Sequence, residues 1–421
     1  MKNWVLFVCL YFLTSPLIGQ VDKILDANIQ TVLIFPKGKP LALPVIGLNT
    51  QDELLIQFDD LSAGYKQYFF TIELMDMQWK PVALNPFDYT RGLTQNNIRE
   101  YTISSIAQQV YFHYSFSFPT ASCRPTKSGN YLMKVYRQGR SNELVFTKRF
   151  FVTEQEVPIT ASIQEPFDEI ISKSHQKIQA QLDVKKIQLL QPELLHVAVI
   201  QNTRYNDMLV SNAPSFIRGN QLEYNADRDF VFPAGKESRW LDLQNLRFKT
   251  DRIAATQQLG YGSRIILKPD QSRATIPYFT FRDLNGQFII SNSELIRSED
   301  QNDYAQVLFT YFPKNGLAYE GKTLYLAGAL TGNLLDTNAR MQWNPANKQY
   351  EKWLTLKQGY YSYNYILRSD QSPNPMHDFM WTEGDHWETE NSYTIFVYYR
   401  APGSRYDQII GYSSLNSIQN W

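Results

Sequence analysis

Short runs of alternating apolar and polar residues recur along most of the chain. The clearest run extends from Val110 to Pro119. The residues on one face of this strand are Phe112, Tyr114, Phe116 and Phe118. Other runs of this kind are Leu54–Phe58, Tyr68–Leu74, Tyr131–Tyr136, Leu144–Val152, Leu194–Ile200, Ser263–Leu267, Pro277–Ile290, Val307–Phe312, Thr323–Ala329, Tyr350–Leu356, Tyr361–Leu367 and Tyr393–Tyr399. Because turn-forming residues separate them and no crossover helices are evident, the pattern predicts an all-β fold.

Two breaks in the alternation divide the chain. Thr153 to Pro158 interrupts it with Glu, Gln and Pro, and Pro cannot donate to a strand ladder. Ser291 to Asp303 is polar and charged, and we interpret it as a linker or exposed connector. We therefore predict an N-terminal β-sandwich domain over 21–154, a middle β domain over 155–300 and a C-terminal β-sandwich domain over 301–421, with immunoglobulin-like sandwich architecture.

The first twenty residues form a separate pattern. Lys2 is followed by an unbroken apolar run from Trp4 to Leu13, which is typical of a signal peptide and is shorter than the roughly 20 residues that span a bilayer. We predict a signal peptide over 1–20, cleaved near Gly19 or Gln20, and no membrane-spanning segment in the mature chain. Cys9 would leave with it, so Cys123 would be the one remaining thiol.

Composition and motifs argue against several functions. Lys and Arg total 41 and Asp and Glu total 41, and this net charge of +0 provides no field to attract nucleic acid. No nucleophile elbow, P-loop or paired-His metal motif occurs, so we predict no catalytic, cofactor or metal site. Asp59 and Asp60 are neighbours in a strand and would point to opposite faces. The polar segment from His377 to Glu388 could hold a cation, although a solvated loop fits its spacing better.

Aromatic residues make up 14 % of the chain, and some of them lie in loop-like sequence. Buried Trp and Tyr dominate many protein interfaces. Tyr360, Trp381 and Trp387 are therefore candidate partner contacts, and ordinary sandwich packing is the alternative for each of them.

The N-terminal part resembles a known family. The residues that carry the resemblance are Ile29-Gln30-Thr31-Val32, Leu54-Leu55-Ile56-Gln57-Phe58-Asp59-Asp60-Leu61, Trp79, Ser128-Gly129-Asn130-Tyr131-Leu132-Met133-Lys134-Val135-Tyr136 and Thr147-Lys148-Arg149-Phe150-Phe151-Val152. These segments are similar to the plug protein family of the type IX secretion system of Bacteroidota, and the similarity extends to about Ser414. It implies a non-enzymatic periplasmic protein, peripheral to the outer membrane, which binds the periplasmic end of the large outer-membrane translocon barrel and seals its pore.

The C-terminal part carries a second resemblance, to glycogen- and starch-binding sandwich modules. It rests on Leu324 to Asn333, on Met341-Gln342-Trp343 and on Gly359 to Tyr365. Leu334 stands where those modules have a Trp. The resemblance implies a carbohydrate-binding-module-like architecture for this domain. It also implies an alternative function, that of an exported carbohydrate-binding protein that uses its C-terminal domain.

Overall fold

The computed structural model describes residues 22–139, 142–187, 189, 191–260, 262–293, 299–371 and 377–418. The predicted signal peptide, residues 1–20, lies outside the described residues. Strands account for 47 % of the chain and helices for 4 %, which confirms the predicted all-β class. No helix in the described part of the chain is long and apolar enough to cross a membrane.

Residues 22–153 form the first sandwich. Its elements are β1 (Lys23–Ile24), β2 (Ile29–Pro36), β3 (Val45–Gly47), β4 (Leu54–Asp60), β5 (Tyr68–Met75), α1 (Pro86–Tyr89), β6 (Thr90–Gly92), β7 (Asn96–Ile98), β8 (Tyr101–Ile103), β9 (Phe112–Phe118), β10 (Cys123–Pro125), β11 (Gly129–Arg137) and β12 (Glu143–Thr153). One sheet has the order β1-β12-β11-β5-β7 with β3 beside β12, and the other has the order β2-β4-β9-β8. Tyr114, Phe116 and Phe118 of β9 enter the shared core, as the alternation predicts.

The second group of strands begins at Ile159, shortly after β12 ends at Thr153. They are β13 (Ile159–Gln164), β14 (His175–Asp183), β15 (Leu195–Gln201), β16 (Leu209–Ser211), β17 (Phe216–Arg218), β18 (Gln221–Tyr224) and β19 (Val231–Pro233), with 3-10 turns at Pro192–Leu194 and Tyr205–Asp207. One sheet has the order β13-β14-β18-β17 with β19 beside β14. The strand β15 pairs with β16 and belongs to a second sheet.

The third group forms a complete sandwich of its own. Its strands are β20 (Arg239–Asp242), β21 (Ile253–Gln258), β22 (Ser263–Leu267), β23 (Phe288–Ile290), β24 (Tyr304–Tyr311), β25 (Lys322–Ala327), β26 (Gln342–Asn344), β27 (Gln349–Lys357) and β28 (Gly359–Ser369), with 3-10 turns at Glu299–Gln301 and Ala329–Thr331. One sheet joins β20, β23 and β25 to β28, and the other has the order β21-β22-β24-β27-β26. Tyr361, Tyr363 and Tyr365 of β28 are buried in its core.

The chain then returns to the middle sandwich. Strands β29 (Ser392–Tyr399) and β30 (Gln408–Asn416) complete the sheet β16-β15-β29-β30. The hydrogen-bonded sheets therefore group the residues differently from the predicted division at 300 and 301. Residues 239–290 pair with strands beyond 301, and residues 392–416 pair with β15. Alternation identifies strands but not the strands with which they pair. Strands that follow each other in the sequence pair more often than distant strands do, but not always.

The first and middle sandwiches share an apolar interface. The rings of Phe151 on β12 and Phe396 on β29 stack with centroids 4.4 Å apart. The Tyr398 hydroxyl donates to Asn130 Oδ1 at 2.8 Å, and the Met77 amide donates to Asp407 Oδ2 at 2.9 Å. These contacts are desolvated and directional, so they fix the relative orientation of the two sandwiches.

The first and third sandwiches meet around the residues after 299. The amide of Gln108 donates to Asp303 Oδ1 at 2.7 Å, and the Tyr111 hydroxyl donates to the carbonyl of Asn302 at 2.8 Å. Gln301, Asn302 and Asp303 are all buried. The prediction of an exposed connector was therefore wrong for these three residues, because their polar groups bond to the first sandwich. Residues 294–298 of that segment lie outside the described residues.

Candidate interaction surface

Two loops at the junction of the middle and third sandwiches run side by side. We call residues 271–282 and 377–388 the paired loops. The amide of Arg273 donates to the carbonyl of Thr382 at 2.7 Å, and the Ser272 hydroxyl donates to the carbonyl of Trp381 at 3.0 Å. Farther along, the Tyr278 hydroxyl donates to the carbonyl of Glu388 at 2.9 Å. The segment from Pro277 to Phe281 was predicted as strand, but these residues form irregular loop and only Phe288–Ile290 is extended sheet.

The turn within that predicted strand is present. Asn285 and Gly286 have φ values of 52° and 76°, the left-handed conformations that Asn and Gly adopt most readily. The turn reverses the chain into β23, so the tight-turn signal in the sequence is confirmed.

A buried carboxylate attaches the paired loops to the third sandwich. Glu383 is fully buried, and its carboxylate accepts from Arg239 Nε and Nη2 at 3.0 Å each and from Arg273 Nε at 2.7 Å. It also accepts the backbone amide of Tyr365 at 2.9 Å. Burial opposes ionisation of Glu383, but the charges of the two guanidiniums outweigh burial and hold its pKa below the usual value. The loop is thus fixed by charge-assisted bonds to β20 and β28.

Arg239 extends this network to a second buried carboxylate. Its Nη1 donates to Asp270 Oδ1 at 2.8 Å, and Arg252 Nη1 donates to the same oxygen at 2.8 Å. The hydroxyls of Tyr363 and Tyr365 donate to Asp270 Oδ2 at 2.8 and 3.1 Å. Burial alone would raise the pKa of Asp270, and the arginines reverse that effect and lower it. All four carboxylate oxygens of Glu383 and Asp270 accept hydrogen bonds, and buried charges are stable only when they are satisfied in this way.

The other side of the paired loops bonds to the middle sandwich. The His377 amide and Nδ1 lie 3.1 and 2.8 Å from Asp207 Oδ1. The amide of Gly235 donates to Asp385 Oδ1 at 2.8 Å, and burial raises the pKa of Asp385 to about 6. The amide of Trp387 donates to the carbonyl of Lys173 at 3.0 Å. The loops therefore bridge two sandwiches.

Large apolar side chains project from these anchored loops into solvent. Ile276, Phe279, Met380 and Trp381 are 53 %, 75 %, 59 % and 55 % exposed. Sequence reasoning singled out Trp381 but missed Phe279, because Phe279 lies in a segment that was assigned to a strand. Aromatic residues are frequent hot spots of protein interfaces, so Phe279 and Trp381 are candidate partner contacts.

The three predicted partner contacts do not lie together. Trp381 and Trp387 both belong to the paired loops, and Trp387 is only partly exposed. Tyr360 lies on β28, pairs with Asp242 and Ile289, and is also partly exposed. The role of all three residues as partner contacts stays a prediction.

The polar residues that the sequence offered as candidates for metal binding or catalysis contact other groups of the protein. The interpretation of His377 to Glu388 as a solvated loop was wrong for His377 and Glu383, which are buried. No group of three or more His, Cys, Asp or Glu side chains that could hold a metal ion occurs within the described ranges. Asp59 and Asp60 point to different partners, as predicted: Asp59 contacts Lys357 and Asp60 accepts from Tyr68. Cys123 is a buried free thiol.

The fold and the paired loops define a protein of three packed β-sandwiches with exposed aromatic side chains on anchored loops. Residues 29–154 match the family described as type 9 secretion system plug protein 1st domain. The first sandwich therefore carries the first domain of the type IX secretion system plug protein family, and this match supports a role related to type IX secretion. That family is a secretion-system component and not a known enzyme family.

A solved structure of a protein with no stated function is similar to this chain over almost its whole length. A hypothetical protein from Parabacteroides merdae has a crystal structure that superposes with a TM-score of 0.89 at 28 % sequence identity. The match covers 94 % of this chain and 99 % of that chain. No match was found among curated proteins. The whole arrangement of sandwiches, and not only the first one, is therefore shared with that protein.

Proposed function

We propose that this protein is a non-enzymatic plug subunit of the type IX secretion system. It is exported by its leader to the periplasm, stays peripheral to the outer membrane, binds the periplasmic end of the large translocon barrel and seals its pore. The observation that carries this proposal is the family match of residues 29–154. A partner within the secretion system follows from the family, and the barrel is the member of that system with a pore to seal.

The stiffness of the body supports this role. A cover over an open pore must keep its shape under thermal motion, and this chain has apolar and charged interfaces between its sandwiches. Phe151 stacks on Phe396 between the first and middle sandwiches, and Lys357 pairs with Asp59 between the third and the first. Relative domain motion is the default expectation unless an interface is large and hydrophobic, and these buried contacts oppose such motion.

The paired loops supply a contact surface of the required kind. Phe279 and Trp381 are large and exposed, and their loops are fixed by Glu383 and by Asp385. A loop that is already ordered loses little entropy on binding, and exposed aromatic side chains are frequent hot spots. We therefore place the contact with the barrel on the paired loops.

A binding experiment with purified components tests both statements. The mature chain, residues 21–421, is tagged and mixed with the detergent-solubilised translocon barrel, and the dissociation constant is measured by biolayer interferometry. The double variant Phe279→Ser, Trp381→Ala should bind roughly tenfold more weakly or worse. The matched control is Phe87→Ser, because Phe87 is 72 % exposed on the first sandwich.

The possible outcomes distinguish the proposed plug function from the proposed position of the contact on the paired loops. Failure of the unchanged chain to bind the barrel overturns the proposed function. Binding that the double variant leaves unchanged retains the function and removes the paired loops as the contact. Pore sealing is measured separately. The conductance of barrels in a planar bilayer should fall when the protein is added to the periplasmic side, and the double variant should need a roughly tenfold higher concentration or more for the same fall.

A further inference from the structure

The strand β13 lies at a free edge of the middle sandwich. It ends the sheet order β13-β14-β18-β17, and its hydrogen-bonded neighbour is β14. The amide of Asp183 donates to the carbonyl of Pro158 at 3.1 Å just before the strand, so the backbone groups of its even-numbered residues bond to β14. The backbone groups of Ile159, Ala161 and Ile163 point away from β14, and no described group of the protein bonds to them.

This edge lacks the features that usually keep sheet edges from pairing. The strand reads Ile-Thr-Ala-Ser-Ile-Gln, with no charged residue, and it pairs with β14 in continuous register without a bulge. Most other terminal strands have two to four residues, and β2 and β21 contain register shifts. Natural proteins protect long edges with charges, bulges or covering segments, because a bare edge readily adds a further strand. An added strand is therefore the occupant that this edge fits.

The sequence of β13 is complementary to itself in an antiparallel arrangement. When two copies meet about a two-fold axis at Ala161, Ile159 of one copy lies opposite Ile163 of the other. Each outward amide of one copy then meets an outward carbonyl of the other. On the opposite face of the strand Thr160 lies opposite Ser162, so no like charges meet and polar residues face polar residues.

We propose that the protein forms a two-fold dimer through antiparallel pairing of β13. The side chains of Ile159, Ala161 and Ile163 are only partly buried where they pack against the core of the middle sandwich, so pairing extends that core across both copies. Phe167 and Ile170 follow in the next loop and are 69 % and 90 % exposed. In this arrangement the loop of each copy approaches the start of β13 in the other, where apolar contact adds to the backbone bonds.

An extended segment of a different protein is the alternative occupant of the edge. Any extended backbone offers the same amides and carbonyls, so binding a foreign strand does not require a palindromic order of residue types. Two identical antiparallel strands do require it if their apolar and polar faces are to match. A second copy of this chain is therefore the occupant that the sequence favours. Because the contact is short, we expect a weak dimer with a dissociation constant below about 0.5 mM.

Two matched double variants test this pairing by sedimentation equilibrium of the mature chain. Thr160→Lys, Ser162→Lys places lysines opposite each other on both sides of the two-fold axis, so the dissociation constant should rise roughly tenfold or more. Thr160→Lys, Ser162→Glu places each lysine opposite a glutamate, and the dissociation constant should stay within about threefold of that of the unchanged chain, or fall. Both variants change the polar face of the strand, so the core of the sandwich is untouched.

A single substitution tests the backbone bonds directly. Ala161→Pro removes an outward amide at the two-fold axis and leaves the bonds to β14 in place, and Pro is tolerated at such positions of an edge strand. The dissociation constant should rise roughly tenfold, because each copy loses one hydrogen bond. Circular dichroism and thermal unfolding show whether each variant is folded, and the double variants keep the test decisive if Ala161→Pro is not.

Three outcomes overturn the proposal. One is an unchanged chain that stays monomeric up to about 0.5 mM, and another is equal dimerisation of the two double variants. The third is a monomeric chain whose binding to the translocon barrel is lost in Thr160→Lys, Ser162→Lys, which would assign this edge to the barrel instead of a second copy. Sedimentation of the purified chain does not involve the barrel, so this inference and the proposed plug function fail separately.

Discussion

The ammonium of Lys357 lies 2.7 Å from Asp59 Oδ2, although the two residues are 298 positions apart in the chain. Both side chains are 1 % exposed. The same carboxylate accepts the Tyr304 hydroxyl at 2.5 Å and lies 2.6 Å from His113 Nδ1. Burial opposes the charge on Asp59, and the attraction of Lys357 outweighs it and lowers the pKa of Asp59. The Asp59 carboxylate therefore joins the first sandwich to the third through buried bonds.

Replacing Lys357 by Met should destabilise the protein by about 3–5 kcal/mol, because the Asp59 charge would remain buried without its main partner. Thermal unfolding followed by circular dichroism measures the effect. Lys37→Met is the control, since Lys37 and Glu53 form an exposed pair with side chains 63 % and 41 % exposed, and such pairs contribute about 1 kcal/mol or less. Equal losses in the two variants would contradict the prediction.

Asp385 should give stability a pH dependence opposite to that of Asp270. Burial raises the pKa of Asp385 to about 6 from an ordinary value of 3.8. The folded state therefore binds this proton more tightly than the unfolded state, and raising the pH from about 4 to above 6 weakens folding. Asp385→Asn should stabilise the protein at pH 7.5 by about 1–3 kcal/mol and should have little effect at pH 3.5.

The Asn side chain can still accept the Gly235 amide, so the test isolates the charge. Asp270→Asn is the contrasting variant, because its arginine partners lower the pKa of Asp270 and its charge favours folding above the unfolded value. It should destabilise at pH 7.5. A gain at pH 3.5 equal to that at pH 7.5 would show that Asp385→Asn acts through packing instead of ionisation.

Cys123 should resist alkylation in the folded protein. Its side chain is fully buried, and burial raises the pKa of the thiol to about 12. The thiolate is the reactive form, so both access and ionisation are suppressed. Iodoacetamide at pH 8 should label the mature chain, which lacks Cys9, only after denaturant is added, and mass spectrometry counts the adducts. Rapid labelling without denaturant would exclude this burial.

Deleting the C-terminal hairpin should unfold the middle sandwich. β29 and β30 supply half of one of its sheets, and Ile395 and Val397 lie fully buried in its core. A chain that ends at residue 389 should lose protease resistance within 155–235 and keep the third sandwich. In the same way, a fragment of residues 236–389 should fold and a fragment of residues 301–421 should not. Folding of the latter fragment would support the division predicted from the sequence.

Much of the strand content could be predicted, because alternation is a local property. Tyr361, Tyr363 and Tyr365 alternate with Ser362 and Asn364, and the tyrosines enter the apolar core of the third sandwich, although the two polar residues are buried as well. The anchor of the paired loops could not be predicted in this way. Glu383 and Arg239 are 144 residues apart, and a Glu in a polar segment looks the same whether it is solvated or buried beside an arginine. Phe279 was missed for a related reason, since an apolar residue next to a turn signal resembles the end of a strand.

The sequence by itself determined the all-β class, most of the strand positions, the tight turn at Asn285-Gly286 and the resemblance to the plug family. These features depend on side-chain periodicity, on backbone preferences and on motifs within short segments. Only the tertiary structure decided which strands share a sheet, that β29 returns to β15, and that Lys357 neutralises Asp59. Pairing over such distances is selected by the packing and desolvation of the whole chain, and no local pattern of residues specifies it.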